Sequence, residues 1–328
     1  MKLKKIFLLG GAGYVGSVLT PKLLKLNYEV TVFDLFIYGK EVLAQHDNLT
    51  CIEGDLRNLP LLKKSIQSHD AIIHLACISN DPSFELDLEL GKSINYDFFE
   101  PFIKTSIDSG IEKFIYASSS SVYGIKDDKN VDEKCSLEPL TDYSKFKAMC
   151  EDVVMKYSSK DFNTTILRPA TVCGYSPRQR LDLVVNILTN LGYHKNEITV
   201  FGGEQLRPNI HINDMCDAYI KVLEDKTNVS KGNTYNVGYE NIKVIEIAKL
   251  VQSKIQKEVI IKINKTNDNR SYHISSEKFS KELGFAYAHT IEKAVGDLIN
   301  VFDKKLLTDP LSNEMYFNIK RMNSINLK

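Results

Sequence analysis

The first half of the chain alternates short apolar runs with stretches in which apolar residues recur every three or four positions. Short apolar runs predict buried strands, and the longer period predicts amphipathic helices. Helices are predicted at Val15–Leu26 and Leu59–Ser68, between strands predicted at Lys5–Leu9, Glu29–Phe33, Leu49–Ile52, Ala71–Leu75, Lys113–Ala117 and Thr164–Leu167. This alternation is typical of parallel βαβ units, in which helices cover both faces of a sheet.

Beyond residue 175 or so the alternation weakens and helices predominate. They are predicted at Leu181–Leu191, Asp214–Glu224, Val244–Gln256, Ser276–Leu283 and Thr290–Lys304, whereas the segment from Asp309 onward has no clear pattern. We therefore predict an α/β fold, with a doubly wound parallel sheet in residues 1–172 and a smaller C-terminal α/β lobe in residues 173–328. Part of residues 208–240 is expected to return to the first domain.

Charge and cysteine content exclude several classes of protein. The 42 basic and 42 acidic residues balance, so neither nucleic acid nor an anionic membrane surface is an expected partner. The six cysteines show no metal-ligand spacing, and we expect reduced thiols, no metal site and a cytoplasmic location. The apolar run after the N-terminal lysines breaks at Gly10 and Gly11, which favours a first strand over a signal peptide or a membrane span.

A glycine-rich loop joins the first predicted strand to the first helix. It reads GGAGYVG, and its candidate cofactor contacts are Gly10, Gly13, Tyr14, Val15 and Gly16. Glycines let the backbone approach a pyrophosphate at the N-terminus of the helix. Asp34 ends the second strand 18 residues after Gly16, where a carboxylate can bind a ribose diol. No arginine follows at residues 35–38, so NAD is favoured over NADP.

A tyrosine and a lysine begin a helix predicted to run to Ser158. Tyr143 and Lys147 are four residues apart, hence on one helical face. A nearby cation favours the phenolate of a tyrosine, which otherwise is a poor base at neutral pH.

Together these motifs resemble the extended short-chain dehydrogenase/reductase family, in its nucleotide-sugar epimerase and dehydratase branch. The resemblance rests on GGAGYVG, Asp34, Gly54-Asp55-Leu56, His74-Leu75-Ala76, Asn95, the serine run before Val122-Tyr123-Gly124, and Tyr143 with Lys147. It implies a Rossmann-type sheet that binds NAD, with further cofactor contacts from Asp55, Leu56, Leu75, Ala76, Asn95, Ser118, Tyr143, Lys147 and Pro169.

The resemblance also implies the catalytic roles. Tyr143 would take a proton from a sugar hydroxyl, most often at C4, as hydride passes to NAD. Lys147 would hold the cofactor ribose and lower the pKa of the tyrosine, and Ser119 would position the substrate. Ser120 and Ser121 stand where 4,6-dehydratases typically carry an acidic pair, and serine does not supply acid–base catalysis at neutral pH. This difference argues against dehydration.

Substrate contacts are implied in three parts of the chain. Arg207 and Arg270 match positions that bind the diphosphate of a nucleotide sugar. Contacts to the nucleotide and sugar are expected from Ser79, Asn80, Ser119, Ser120, Thr171, Arg178, Arg180 and Asn186, with Asp81 close by. Thr171 replaces an asparagine common in the 4-epimerases, so the identity of the sugar stays open.

The leading hypothesis is an NAD-dependent nucleotide-sugar 4-epimerase that works through a 4-keto intermediate. The alternatives are a 4-dehydrogenase that releases the keto sugar, a 4,6-dehydratase, and a non-catalytic NAD-binding regulator. The resemblance further implies a homodimer joined through the tyrosine helix and a long helix at about Leu86–Ser109. Phe98, Phe99 and Phe102 of that helix fit either the interface or the core.

Overall fold

The computed structural model describes residues 3–126, 130–266 and 273–328. Its strands are β1 Lys5–Leu9, β2 Glu29–Asp34, β3 Leu49–Glu53, β4 Ala71–His74, β5 Lys113–Ala117, β6 Asn163–Pro169, β7 Thr171–Cys173, β8 Glu197–Phe201, β9 Leu206–His211, β10 Asn233–Val237, β11 Glu240–Lys243 and β12 Ile260–Asn264. Its α-helices are α1 Gly16–Lys25, α2 Leu59–Ser65, α3 Asp81–Phe84, α4 Leu88–Lys92, α5 Phe99–Asp108, α6 Asp142–Tyr157, α7 Val184–Lys195, α8 Ile212–Leu223, α9 Val244–Lys254, α10 Glu277–Leu283, α11 Ile291–Asp303 and α12 Asn318–Ser324. Within the described residues, no helix is long and apolar enough to cross a membrane.

Seven parallel strands form the central sheet, in the order β10-β6-β5-β4-β1-β2-β3. The chain runs outward from β1 in one direction through β2 and β3, and then in the other direction through β4, β5 and β6. The order therefore reverses between β1 and β4. In open α/β sheets, ligands bind at the carboxyl ends of the strands at such a reversal point.

Side chains of β1 alternate between two apolar cores, one on each face of the sheet. Ile6 and Leu8 belong to the core that includes residues of α1 and α8, whereas Phe7 and Leu9 belong to the core that includes residues of α5 and α6. All four are fully buried. Burial on both faces is what makes the parallel strands continuous apolar runs. The predicted Rossmann-type α/β fold is confirmed.

The sheet gains one strand that the sequence pattern did not reveal. Strand β10 pairs with β6 at the edge, from Asn233 opposite Thr165 to Val237 opposite Pro169. Helix α8 packs on the same sheet. Residues of the 208–240 region therefore lie with the first half of the chain, while the division at residue 172 stays a prediction.

The smaller lobe is built from two short sheets and three helices. One sheet has the order β11-β9-β7, and β12 pairs with β8 in the other. Helices α7, α9 and α11 enclose a separate apolar core, which includes Val185, Ile247, Val251 and Val295.

The long helix predicted at about Leu86–Ser109 is interrupted by a π-helical turn. Helix α4 ends at Lys92, a π-helical turn occupies Ser93–Asp97, and α5 follows. The Asn95 side chain lies in this turn and exchanges two hydrogen bonds with the backbone of Ile78, at 2.9 and 3.0 Å. π-Helical turns are frequent beside functional sites. The interruption fixes the loop that follows β4.

Candidate active site

A cavity of about 360 Å³ lies at the carboxyl edge of the sheet, at the point where the strand order reverses. This volume falls within the range typical of small-molecule sites. Predicted cofactor contacts on its wall are Gly10, Gly13, Tyr14, Val15, Gly16, Asp34, Leu56, Leu75, Ala76, Ser118, Tyr143, Lys147 and Pro169. Predicted substrate contacts on its wall are Ser79, Asn80, Ser119, Ser120, Thr171, Arg178 and Arg180.

Two predicted cofactor contacts lie off this wall. Asp55 forms an ion pair with Arg57, at 2.6 Å. Asn95 is 6% exposed, and its amide is bonded to the Ile78 backbone. Asn95 thus shapes the wall through Ile78, which does line the cavity.

Two predicted substrate contacts, Asn186 and Arg207, are not on the cavity wall either. The buried Asn186 amide binds the Tyr14 hydroxyl at 3.0 Å and the Arg180 carbonyl at 2.8 Å, so it braces cavity residues from behind. Arg207 lies on β9, away from the cavity wall, and donates to the carbonyl of Leu206. Arg270 lies outside the described residues.

The glycine loop leaves no room for a side chain at Gly10 or at Gly16. Gly10 has a φ of +83°, and a Cβ there would lie 2.6 Å from the backbone nitrogen of Ala76. A Cβ on Gly16 would lie 2.6 Å from the Gly10 carbonyl oxygen. Nearby, the Asp34 carboxylate accepts from the backbone N–H of Ala12 and of Phe36, at 3.0 and 2.9 Å. The cradle before α1 and the carboxylate at the end of β2 fit an adenine dinucleotide.

Gly16→Ala should therefore disrupt the loop and abolish NAD binding. Because the new methyl group meets fixed backbone atoms, the loop has to shift. Gly296→Ala is the matched control, since Gly296 lies within α11 and a Cβ there would meet no atom of the described residues within 4 Å beyond its own helix backbone. Isothermal titration with NAD checks both. Wild-type NAD affinity in Gly16→Ala would contradict a role for the loop in cofactor binding.

The serine run lies at the end of β5, and its hydroxyls have different partners. Ser119 faces the cavity and caps the short 3₁₀ turn Ser120–Tyr123, while its Oγ lies 2.8 Å from Oγ of Ser121. Ser119 and Tyr143 both line the cavity, and the interaction with Ser119 lowers the pKa of Tyr143 by favouring its ionised form. Hence Ser119 and Tyr143 lie together, as the sequence predicted.

Ser118 points instead to a buried charged network. Its Oγ donates to the carboxylate of Glu151, which also accepts two bonds from Arg168, at 2.6 Å from Nη2 and 3.0 Å from Nε. Arg168 Nη1 donates to the Tyr123 hydroxyl at 2.7 Å. Glu151 lies one helical turn beyond Lys147 on α6. This network fixes the end of β5 against α6.

Tyr143 lies in the cavity with its ring partly exposed. Desolvation raises its pKa well above the ordinary value, and Cys77 and Asp81 raise it further. Arg180 has the largest lowering effect of any cation. The Lys147 ammonium is 5.9 Å from the centre of the Tyr143 ring and donates to the carbonyl of Ala117 at 2.7 Å. Arg180 is thus a second cation beside the phenol, one that spacing along α6 could not reveal.

Two buried arginines line the cavity with unused donors. Nε and Nη1 of Arg178 and Nη2 of Arg180 have no hydrogen-bond partner among the described residues. The Arg178 guanidinium stacks on the Tyr38 ring at 3.5 Å, and Arg180 pairs with Asp182 at 2.8 Å and donates to Ser79 at 3.1 Å. Buried guanidinium groups with free donors are suited to binding an anion, such as a phosphate or a carboxylate.

Several cavity residues were missed by the sequence reasoning. Tyr38, Asn318, Met322 and Leu327 line the cavity together with the predicted set. Residues 309–328 had no periodic signal, because α12 is only seven residues long and its contacts join it to distant parts of the chain.

A model of the NAD dependent epimerase/dehydratase family matches residues 6–238. The chain belongs to this family. Among its curated relatives are UDP-arabinose 4-epimerase 1 of Arabidopsis thaliana, 26% identical over 87% of this chain and 76% of the relative, and dTDP-D-glucose 4,6-dehydratase of Homo sapiens, 26% identical over 75% of this chain and 72% of the relative. One further relative is 30% identical, and the chain spans 56% of its length.

Solved structures of the same fold include the UDP-glucuronic acid 4-epimerase from Bacillus cereus, in complex with UDP-glucuronic acid and NAD. It is 25% identical, with a TM-score of 0.84 over 92% of this chain and 100% of that one. Membership of the epimerase/dehydratase family makes this chain an NAD-dependent enzyme.

Proposed function

We propose that this family member is an NAD-dependent nucleotide-sugar 4-epimerase that works through a 4-keto intermediate. The observation that carries the proposal is that Ser119, Tyr143 and Lys147 lie together on the wall of the cavity, with serines at 120 and 121. Neither of these serines offers the acid–base chemistry that dehydration at C5 and C6 requires.

Bound NAD supplies reversible hydride acceptance. The chain itself handles the proton: Tyr143 Oη accepts it from the C4 hydroxyl of the sugar and returns it after the ketone has turned. Ser119 Oγ holds the same hydroxyl and orients it. Lys147 and Arg180 place positive charge near the phenol, which favours its ionised form. The expected contribution of such proton transfer is about 10²- to 10⁴-fold in rate.

Arg178 and Arg180 provide donors for the anionic part of the ligands. Arg178 lies beside Tyr38 and contributes to the electrostatic environment of Asp34, hence near the cofactor end of the cavity. Arg180 contacts Ser79 and influences Tyr143, hence lies near the sugar end. We assign Arg178 to a phosphate and Arg180 to the sugar or its substituent.

A second candidate is the 4,6-dehydratase, because the cavity contains a carboxylate near the phenol. Asp81 lines the cavity, accepts a hydrogen bond from Thr141 at 2.5 Å, and raises the pKa of Tyr143. A carboxyl group there could take part in elimination. A 4-dehydrogenase that releases the keto sugar remains the alternative within the same chemistry.

Product analysis separates these reactions. The purified protein is incubated with UDP-arabinose, UDP-glucuronic acid, UDP-glucose and dTDP-glucose, and products are identified by NMR. A product inverted at C4 with no net cofactor reduction supports the epimerase. A 6-deoxy-4-keto product would show that the protein is a dehydratase. A released ketone with a stoichiometric amount of reduced cofactor would show that it is a dehydrogenase.

We also propose a homodimer joined through α5 and α6. Phe98, Phe99 and Phe102 are buried around the His74 ring and belong to the core, so they do not supply the interface. Support comes instead from apolar side chains exposed on the two helices, Ile107 on α5 and Met149 and Met155 on α6.

Met149→Asp combined with Met155→Asp should therefore yield a monomer. The reason is that two charges would have to be buried in the proposed interface. Light scattering after gel filtration gives the mass. Ile263→Asp is the control, since Ile263 is also an exposed apolar residue but lies on β12 of the smaller lobe. An unchanged dimer in the double variant would place the interface elsewhere, and a monomeric wild type would exclude the dimer.

A further inference from the structure

Residues 313–328, which we call the C-terminal strap, bridge the two sides of the point where the strand order reverses. The Asn318 side chain accepts from the Tyr38 hydroxyl at 3.0 Å and donates to the Ser79 hydroxyl at 3.1 Å. Tyr38 follows β2 and Ser79 follows β4, and β1 lies between these strands. The strap therefore crosses the edge of the sheet along which the glycine loop and Asp34 lie.

Asn318 is 5% exposed, and all of its polar groups are engaged. In addition to Tyr38 and Ser79, its Oδ1 accepts from Arg178 Nη2 at 2.5 Å, and its backbone N–H donates to Asp182 at 3.0 Å. Asn318 thus sets the position of a guanidinium group that has two free donors within the cavity.

Further contacts hold the strap on the cofactor side. Arg321 Nε donates to the carbonyl of Ile37 at 2.6 Å, and Arg57 Nη2 donates to the carbonyl of Lys328 at 2.7 Å. Met322 is buried in the core that contains Phe33 and Leu56, and Leu327 packs against the same core. Both apolar side chains also form part of the cavity wall.

We propose that the strap closes the NAD cleft and that Asn318 is a positioning residue for Arg178. The inference rests on the cofactor site of the proposed function. The strap has to be displaced before a bound dinucleotide can leave, so exchange of NAD is slow relative to turnover. Slow exchange suits 4-epimerisation, in which the cofactor is regenerated in each cycle, and does not suit a dehydrogenase, which must exchange its cofactor.

Exchange of radiolabelled NAD tests this directly. The full-length protein is loaded with labelled NAD, excess unlabelled NAD is added, and the label retained is followed over time. Asn318→Ala should release the label about tenfold faster, because it loses the hydrogen bonds to the charged Arg178 and to the hydroxyls of Tyr38 and Ser79. Asn323→Ala is the matched control, because Asn323 is an exposed residue of the same helix. It should release label at the wild-type rate.

Thermal unfolding without NAD is measured in parallel, so that a loss of stability is distinguished from faster release. A chain shortened after Ser312 provides the second variant and should release label at least as fast as Asn318→Ala. Wild-type release rates in both variants would contradict the proposal that the strap closes the NAD cleft. Faster release from both variants, with no 4-epimerisation of any nucleotide sugar, would support the strap and exclude the proposed reaction. If neither the wild type nor any variant binds NAD, both the role of the strap and the proposed reaction are excluded.

Discussion

Replacing Tyr143 by phenylalanine is expected to lower kcat for 4-epimerisation by about 10²- to 10⁴-fold, the usual contribution of a positioned acid–base group. Phenylalanine keeps the ring that packs against Phe84 and removes only the hydroxyl group. Binding of the nucleotide sugar should change little, because the Arg178 and Arg180 side chains are untouched. Steady-state kinetics and calorimetric titration measure the two effects separately.

The pH dependence of the wild type gives a second readout of the same group. The phenol must be deprotonated to accept a proton, and burial raises its pKa in the free protein. The deprotonated fraction therefore grows as pH rises, so kcat/KM should increase from neutral towards alkaline pH. Full activity in Tyr143→Phe, or a rate that falls over this range, would contradict proton transfer by Tyr143.

Glu151→Ala is expected to destabilise the protein by about 3–5 kcal/mol, the usual cost of removing one partner of a buried ion pair. Arg168, whose side chain is 7% exposed, would keep its charge without a carboxylate. Ser118 would lose its acceptor as well. The free energy of unfolding, measured by urea denaturation, reports the loss.

Lys145→Ala is the control for this variant. Lys145 pairs with Asp142 on the same helix, but both side chains are about half exposed, and such pairs contribute little. We expect an unfolding midpoint near that of the wild type. Equal stabilities of Glu151→Ala and Lys145→Ala would show that the buried network does not fix β5 against α6.

Prediction from the sequence succeeded where the signal was local. Six of the seven strands of the large sheet were predicted from short apolar runs, and all of them except the edge strand β3 contain buried residues. The glycine loop was predicted because its glycines lie within a few residues of β1. Ser119, Tyr143 and Lys147 were predicted to face one site from their order in the family motif, and all three line the cavity.

Other features depend on contacts between residues far apart in sequence. Strand β10 contains two asparagines, which have a low strand propensity, and it is held by pairing with β6. Asn318 reaches Tyr38 across 280 residues of chain. Arg180 affects Tyr143 through the folding of the segment after β7. No periodicity in a single sequence encodes such pairings.

The most direct test of 4-keto chemistry at Tyr143 follows deuterium placed at C4 of a nucleotide sugar that the protein converts. In 4-epimerisation, the hydrogen removed from C4 is returned to the same carbon without exchange with water. We therefore expect the C4-inverted product of the wild type to retain the label, as measured by mass spectrometry. Tyr143→Phe should form the same labelled product about 10²- to 10⁴-fold more slowly. A C4-inverted product that has lost deuterium to solvent would contradict the proposed 4-keto chemistry.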